Sequence, residues 1–542
     1  MVLAALLPFE PREAALALPG MRLTILEGVA AAATAVIAWE RRSELASLLR
    51  RPPGPLLGLA GFVAANWLSA ALAEAPRLPA LKFSVRMTAC AVFAFLVAVC
   101  GQRLQQRALQ ALAWSSLLVA LLAVLEGAGV LAVDPLLDAF RTAPVFVGGT
   151  RRASAGSEHP NLAAAFVGSG VLIWSGLAPG AARLIPPVTL LVVGLLLTYS
   201  RGGLLATIVG LVVMLGVRGR WGHSTRPPAT ALVVLLSGSA AFAGLSETFR
   251  LRIGDPSPDD WFLARYSPAM AALRLTPGAE RPLAVDVENI GRATWRIEDV
   301  QLEQRWLDLD TRSLRDGPPT ALPHQVGPGQ RAAIVVMLHA PQRAGRYRVF
   351  FDSRLKRGRW FSEWGVAPGI ATVTVTESPE VAEHAGPDAP PTDIPAGYWN
   401  PTRAEFMRLA LAMWSDRPLV GVGPDNFRRL HARYAGRHLN FRSSAGNAFL
   451  EVAATTGLMG LVAFVATLGA SIVAGVRGLA ARVAEPTWAA LLVSLLAAVI
   501  VHACVDYSLS ATGHYLFFAF VVGGLASPAF SAPAPPGAKK TT

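Results

Sequence analysis

The chain has 542 residues, of which 53% are hydrophobic and 16% charged, with a mean hydropathy of +0.43. That balance excludes a single soluble globule, because too few polar side chains remain to cover so much apolar surface, and it indicates a polytopic membrane protein. A net charge of +13 would suit a nucleic-acid binder, but the arginines fall in short loops between apolar runs and no basic stripe is interleaved with aromatics, so no nucleic-acid partner is expected.

The first twenty residues are interrupted by Pro8, Glu10, Arg12 and Glu13, so a cleavable signal peptide is not expected. Crossing a bilayer takes about 20 apolar residues. Runs of that kind lie at about 22–39, 54–73, 79–100, 108–128, 161–178, 183–199, 202–217 and 229–247, and again at 448–475, 487–505 and 512–527. Arg41, Arg42, Arg50 and Arg51 follow the first run, Arg103 and Arg107 the third, and Arg183 the fifth. Arg218, Arg220 and Arg226 follow the seventh, Arg477 and Arg482 the ninth, and Lys539 and Lys540 the last. Every second loop is basic, which assigns these loops to the cytoplasm and the long polar interval from about 248 to 447 to the outside. The expected fold is a polytopic α-helical membrane protein of about 11–12 transmembrane helices with an inserted extracytoplasmic β-sandwich. The count depends on whether residues 1–20 add an element.

Seven regions follow from composition: an N-terminal transmembrane bundle (1–247), an external connecting segment (248–281), the β-sandwich (282–376) and an acidic, Pro-rich linker (377–397). An external Arg-rich segment (398–447), C-terminal transmembrane helices (448–527) and a cytoplasmic tail (528–542) complete the chain. Between 282 and 376, short alternating runs such as LAVDVEN, RAAIVVML, RYRVFFD and IATVTVT are separated by Gly/Pro turns, the pattern of an antiparallel sandwich. Asn289-Ile290-Gly291 followed by Trp295, with Trp360 and Trp364 later, resembles the N-x-G…W pattern of immunoglobulin-like modules. Cys90, Cys100 and Cys504 sit in apolar runs without metal spacing, and are expected to be buried small hydrophobes.

Three stretches carry candidate chemistry. Arg201 follows Ser200 and precedes Gly202 and Gly203 at the junction of two apolar runs, where a fixed guanidinium would call for an anionic partner. Arg403 and Arg408 lie on a helix-like run that ends at Asp416-Arg417-Pro418 and turns through GVGPDN. Ser157-Glu158-His159-Pro160-Asn161 re-enters the membrane from the same predicted side, where a helix start would bring Asn161 and backbone N–H groups toward the arginines.

These residues resemble a known family. TYSRGG at a span end, then a long polar interval, then Arg403 followed by MRLAL, DRPLVGVGPDNF, AFLEVAATTGLMGL and the closing VHACVDYSLS, looks like the O-antigen ligase and polymerase membrane glycosyltransferases. The resemblance covers about 150–527 except the β module. It implies transfer of a glycan from an undecaprenyl-diphosphate carrier to a lipid A core or another glycan, at the outer face of the cytoplasmic membrane, with no metal or other cofactor. It further implies that Arg201 and Arg403 hold the diphosphate, helped by Asn161, Arg408 and Asn447. The family usually places a histidine just before the AFLE run. Here the stretch reads Ser443-Ser444-Ala445-Gly446-Asn447, with Gly446 or Ser444 at the position. A base for the acceptor hydroxyl would then come from Glu451, His438 or His431. Two alternatives stay open: a non-catalytic relative that binds glycan lipid through the β module, and a solute transporter on the same scaffold.

Overall fold

The computed structural model describes residues 1–13, 16–18, 21–74, 76–178, 180–254, 260–356, 360–364, 366–377, 403–435, 444–480 and 486–531. The chain divides into two compact units. One comprises Met1–Val145, Arg152–Phe242 and Pro401–Thr542, the other Phe146–Arg151 and Ala243–Asn400.

The first unit is helical. Eight of its described helices are long and apolar enough to cross a membrane: Gly54–Leu72, Arg77–Val99, Gln102–Gly127, Pro160–Leu177, Arg201–Arg220, Arg226–Leu245, Ala448–Ala480 and Pro486–Val505. Ala182–Leu197 and Thr512–Leu525 are shorter apolar helices, and the first apolar run becomes Ile25–Glu40. Large side chains such as Leu57, Trp114, Leu118, Val233, Leu236, Val462 and Val476 remain exposed on these helices. Helices that are apolar on their outer as well as their inner faces belong in lipid. The Pro160–Leu177 helix packs against Gln102–Gly127, Ile185–Leu197, Arg201–Arg220 and Pro486–Val505, while Ala448–Ala480 packs on Gly54–Leu72.

The Ala448–Ala480 segment is broken at Gly457, whose φ of 65° and ψ of −166° fall outside any helix. The break receives the GVG turn. Leu458 N–H donates to Pro418 O at 2.8 Å, Val422 N–H to Ala454 O at 3.0 Å and Gly423 N–H to Thr455 O at 2.9 Å. At this contact a Cβ on Gly457 would stand 2.2 Å from Leu419 C, and one on Gly421 2.3 Å from Thr455 C. The string PLVGVG…ATTG is therefore a backbone lock, which pins the Arg403–Asp416 helix to a membrane helix. Phe406, Ala410 and Met413 fill the space beneath with Val422, Phe427 and Ala454.

Among the described residues the second unit contains two larger sheets, besides the short hairpin of Val145–Val147 with Thr150–Arg152. The first orders Thr320–Ala321, Val300–Asp308, Gly345–Leu355, Gly369–Val375 and Ala272–Leu275, with Leu314–Asp316 also on Val300–Asp308. The other orders Arg331–His339, Glu280–Asn289 and Ala264–Pro268. Burial alternates strictly along Arg331–His339, so one face of the strand enters the core. The strands begin at Ala264, ahead of the expected 282, and the pairing of Gly369–Val375 with Ala272–Leu275 is parallel, not antiparallel. Asn289-Ile290-Gly291 makes a core turn: Asn289 Nδ2 donates to Ala293 O and Val326 O, both at 2.9 Å, and its Oδ1 accepts from Gly291 N–H at 3.0 Å. Trp295 is fully buried, edge-on to Phe361 at 5.4 Å. Asp352, 2% exposed, accepts from Tyr266 Oη and Ser362 N–H, and burial pushes its carboxyl up to about 6.

Candidate functional site

The C-terminal end of the Pro486–Val505 helix is a hub on which the N-termini of three other helices meet. Asn447, the residue before Ala448–Ala480, accepts from Leu450 N–H at 3.0 Å and donates from Nδ2 to Cys504 O at 2.8 Å. Gly202, second residue of Arg201–Arg220, lies against Val505, since a Cβ there would be 2.5 Å from Val505 Cγ2. Asn161, in the first turn of Pro160–Leu177, donates from Nδ2 to Asp506 Oδ2 at 2.7 Å. A fourth helix, Thr512–Leu525, begins six residues past Asp506, and its Thr512 N–H donates to Glu10. Helix N-termini carry unsatisfied N–H groups and partial positive charge. Several of them at one end of a bundle make a region suited to an anion.

The loops that deliver these helices hold strained backbone. Tyr199 has φ of 50° and Ala155 of 42°, both left-handed, and each sits directly ahead of a hub helix or its entry loop. For a tyrosine this conformation is uncommon and persists only where the surroundings enforce it. Here it turns the chain so that Ser200 caps the next helix, its Oγ accepting from Gly203 N–H at 3.2 Å, and places Arg201 half-buried at the first position.

Arg403 is exposed and opens its own helix. It runs beside Gly446, where a Cβ would meet Arg403 Cγ at 3.8 Å and Nε at 3.9 Å. Arg201, Asn161, Arg403 and Asn447 are thus gathered at one end of the bundle. Arg408 is exposed, off the face formed by Phe406, Ala410 and Met413, and is not among them. Gly446 has φ of 67°. At that position a histidine would occupy a left-handed backbone, so the loop differs in its path as well as in one side chain.

Glu451 is 2% exposed and its Oε2 accepts from Ala445 N–H at 2.7 Å. Its carboxylate therefore fixes the loop that carries Gly446 beside Arg403. His431 is 2% exposed and stacked on Phe427. His438 lies outside the described residues.

Sequence reasoning passed over several members of the hub. Arg152 donates to Thr198 O at 2.9 Å and to Asn161 Oδ1 at 2.7 Å, completing a chain Arg152–Asn161–Asp506. Burial alone would raise the Asp506 carboxyl, but His502, His159, Asn161 and the Tyr507 N–H outweigh it and hold it below its ordinary value. His502, 5% exposed, sits one helical turn before Asp506, and its Nε2 has no hydrogen-bond partner among the described residues. With His514, Thr207, Ser169 and Ser508 it lines a cavity of about 40 Å³, room for one or two waters. The signal was present in VHACVD, where His and Asp at i and i+4 share a helix face. Cys504, expected to be buried, is exposed at the hub, while Cys90 and Cys100 are buried.

Among the described residues, no group of three or more His, Cys, Asp or Glu could hold a metal ion. No family model matches the sequence, and no curated protein matches it. Among solved structures, the sporulation control protein Spo0M of Bacillus subtilis is 14% identical with a TM-score of 0.15, the match covering 28% of this chain and 54% of that one. The alkylpurine DNA glycosylase AlkC of Pseudomonas fluorescens, solved bound to DNA containing an abasic site analog, is 12% identical with a TM-score of 0.15. That match covers 60% of this chain and 99% of that one. Similarities this low carry no argument about fold or function.

Proposed function

We propose that the hub binds the diphosphate of a polyprenol-linked glycan and that the protein transfers this glycan to a lipid A core or glycan acceptor at the external face of the cytoplasmic membrane. The observation that carries the reading is the convergence of helix N-termini with Arg201 and Arg403 at Cys504–Asp506. In this reading the spans number about eleven or twelve, and the β module is an immunoglobulin-like insertion on the external side.

As the glycan leaves, the bond between its anomeric carbon and the diphosphate oxygen breaks and negative charge grows on the diphosphate. Preorganised guanidinium groups and helix N-termini act most strongly at that moment. The acceptor hydroxyl oxygen forms the new glycosidic bond and gives up its proton. His502 Nε2 takes that proton in place of the histidine missing before the AFLE run.

The test is transfer in vesicles loaded with a diphosphate-linked oligosaccharide. Arg201→Ala and Arg403→Ala are each expected to lower the rate by about 10²–10³-fold, and His502→Gln to lower it and flatten its pH profile. Full transfer by the Arg201→Ala/Arg403→Ala double variant refutes the reading. The left-handed Gly446 favours a second reading, a protein that binds glycan lipid without transferring it. Saturable donor binding with no turnover by the wild type selects that one. A reporter fused at residue 320 that reports a cytoplasmic location removes the external site from both.

A further inference from the structure

Pro160–Leu177, Arg201–Arg220 and Pro486–Val505 all reach the hub with one end, and at about 1.5 Å per residue their other ends lie roughly 25–30 Å away. There they surround a second polar cavity, of about 740 Å³, lined by Gln106, Gln110, Arg218, His223, Arg226 and Thr487 among others. No carboxylate lines it among the described residues. Arg218 is 4% exposed. It donates to Gly176 O at 2.7 Å and to Ser224 O at 3.3 Å, while its Nε has no partner among the described residues. Among the described residues this buried guanidinium is held by carbonyls and has no counter-ion, an arrangement that calls for an anion. The Arg226–Leu245 and Pro486–Val505 helices both begin at this cavity, adding the positive ends of two helix dipoles.

The cavity does not end in water alone. Gln110, Leu177 and Ala178 also line an adjoining, almost wholly apolar pocket of about 220 Å³, walled by Trp114, Ile173 and Trp174. The two indoles meet edge to face at 5.1 Å. A cationic chamber continuous with an apolar slot, at the ends of membrane-length helices, matches an amphiphile with an anionic head and a hydrocarbon tail. Arginine's planar fork selects phosphate oxygens.

We propose that this end of the bundle is a binding site for one phosphate-headed membrane lipid, its phosphate on Arg218 and Arg226 and an acyl chain against Trp114 and Trp174. The site is separate from the hub and does not depend on the reaction assigned there.

The test is native mass spectrometry of the full-length protein, delipidated in detergent, with phosphatidylglycerol, diacylglycerol, glycerol 3-phosphate and inorganic phosphate as separate probes. One phosphatidylglycerol per chain should survive activation, with diacylglycerol binding at least tenfold more weakly. Arg218→Gln, Arg226→Gln and Trp114→Ala should each weaken the phosphatidylglycerol adduct about tenfold or more. Arg226 is exposed at the rim, so Arg226→Gln should keep the wild-type melting temperature, and it decides the matter if Arg218→Gln fails to fold. Glycerol 3-phosphate or inorganic phosphate displacing the lipid at equal concentration overturns the lipid assignment. Undiminished phosphatidylglycerol binding by Arg226→Gln, or no retained adduct on the wild type, overturns the site.

Discussion

Gly457→Ala should release the lock between the GVG turn and the broken membrane helix. Its φ of 65° with ψ of −166° lies in a region essentially reserved for glycine, and forcing alanine into it costs about 1–3 kcal/mol. The added Cβ would stand 2.2 Å from Leu419 C and 2.4 Å from Val420 N, and backbone cannot yield as a flexible side chain does. If the turn retreats, Leu458 N–H→Pro418 O at 2.8 Å and Met459 N–H→Leu419 O at 3.3 Å are lost, about 1 kcal/mol each. The sum, roughly 3–5 kcal/mol, corresponds to about a 10²–10⁴-fold rise in local opening. Hydrogen–deuterium exchange read by mass spectrometry on peptides covering 417–426 and 454–462 measures it directly. Gly469→Ala is the control, because nothing lies within 4 Å of its Cβ position in the same segment, and it should be neutral or stabilise by up to about 1 kcal/mol. Equal exchange in wild type and Gly457→Ala would refute the lock. So would an equal rise in the Gly469→Ala control, which would mark the effect as general.

Asp352 sets a pH response in the β module. Its pKa is raised from 3.8 to about 6 by burial, so its protonated form suits the fold. Its contribution is complete only below pH about 3.8 and is lost as pH rises through about 6, a difference of about 2.5 kcal/mol between pH 4 and pH 7.5. Urea resistance of the module, followed by tryptophan fluorescence, should fall over that window, and Asp352→Asn should abolish that part of the fall. Asn161→Leu removes the hydrogen bonds that join Arg152 to Asn161 and Asn161 to Asp506. About 2–4 kcal/mol of stability should be lost, seen as a lower melting temperature in detergent, and an unchanged value would show that the chain Arg152–Asn161–Asp506 is not formed. Glu126 pairs with Arg141, both almost fully buried, and accepts from Ser154 N–H at 2.9 Å. Glu126→Ala should therefore cost about 3–5 kcal/mol and Glu126→Gln less, since the amide oxygen can still accept from Ser154. Arg408→Ala, on an exposed face of the Arg403 helix, should keep transfer within about twofold of wild type, in contrast to Arg403→Ala.

The membrane helices were legible because the information is one-dimensional. A run of about 20 apolar residues is a helix in lipid whatever surrounds it, and each predicted run coincides with a described helix, eight of them long and apolar enough to cross a membrane. The β module was legible for a related reason, since alternation along Arg331–His339 states which residues face inward. Its true start at Ala264 was hidden, because the five residues of that strand and the four of Ala272–Leu275 are too short to show a period against the preceding loop. The parallel pairing of Ala272–Leu275 is a property of two strands about a hundred residues apart, and no local pattern encodes it.

The sequence alone determined the apolar helices and the β region between them. Arg201 and Arg403 stood out because a guanidinium beside an apolar span is costly without a partner. Tertiary structure decided which side chains meet. Asn161 and Asp506 are 345 positions apart and share a hydrogen bond of 2.7 Å, and Glu451 accepts from the N–H of Ala445 in the loop ahead of its own helix. The glycines of GVGPDN and of ATTG carried no visible reason until their backbones were seen to pair. Hydropathy and periodicity are sums over neighbours in the chain, whereas a site is set by packing between distant helix ends, and only the folded bundle fixes those distances.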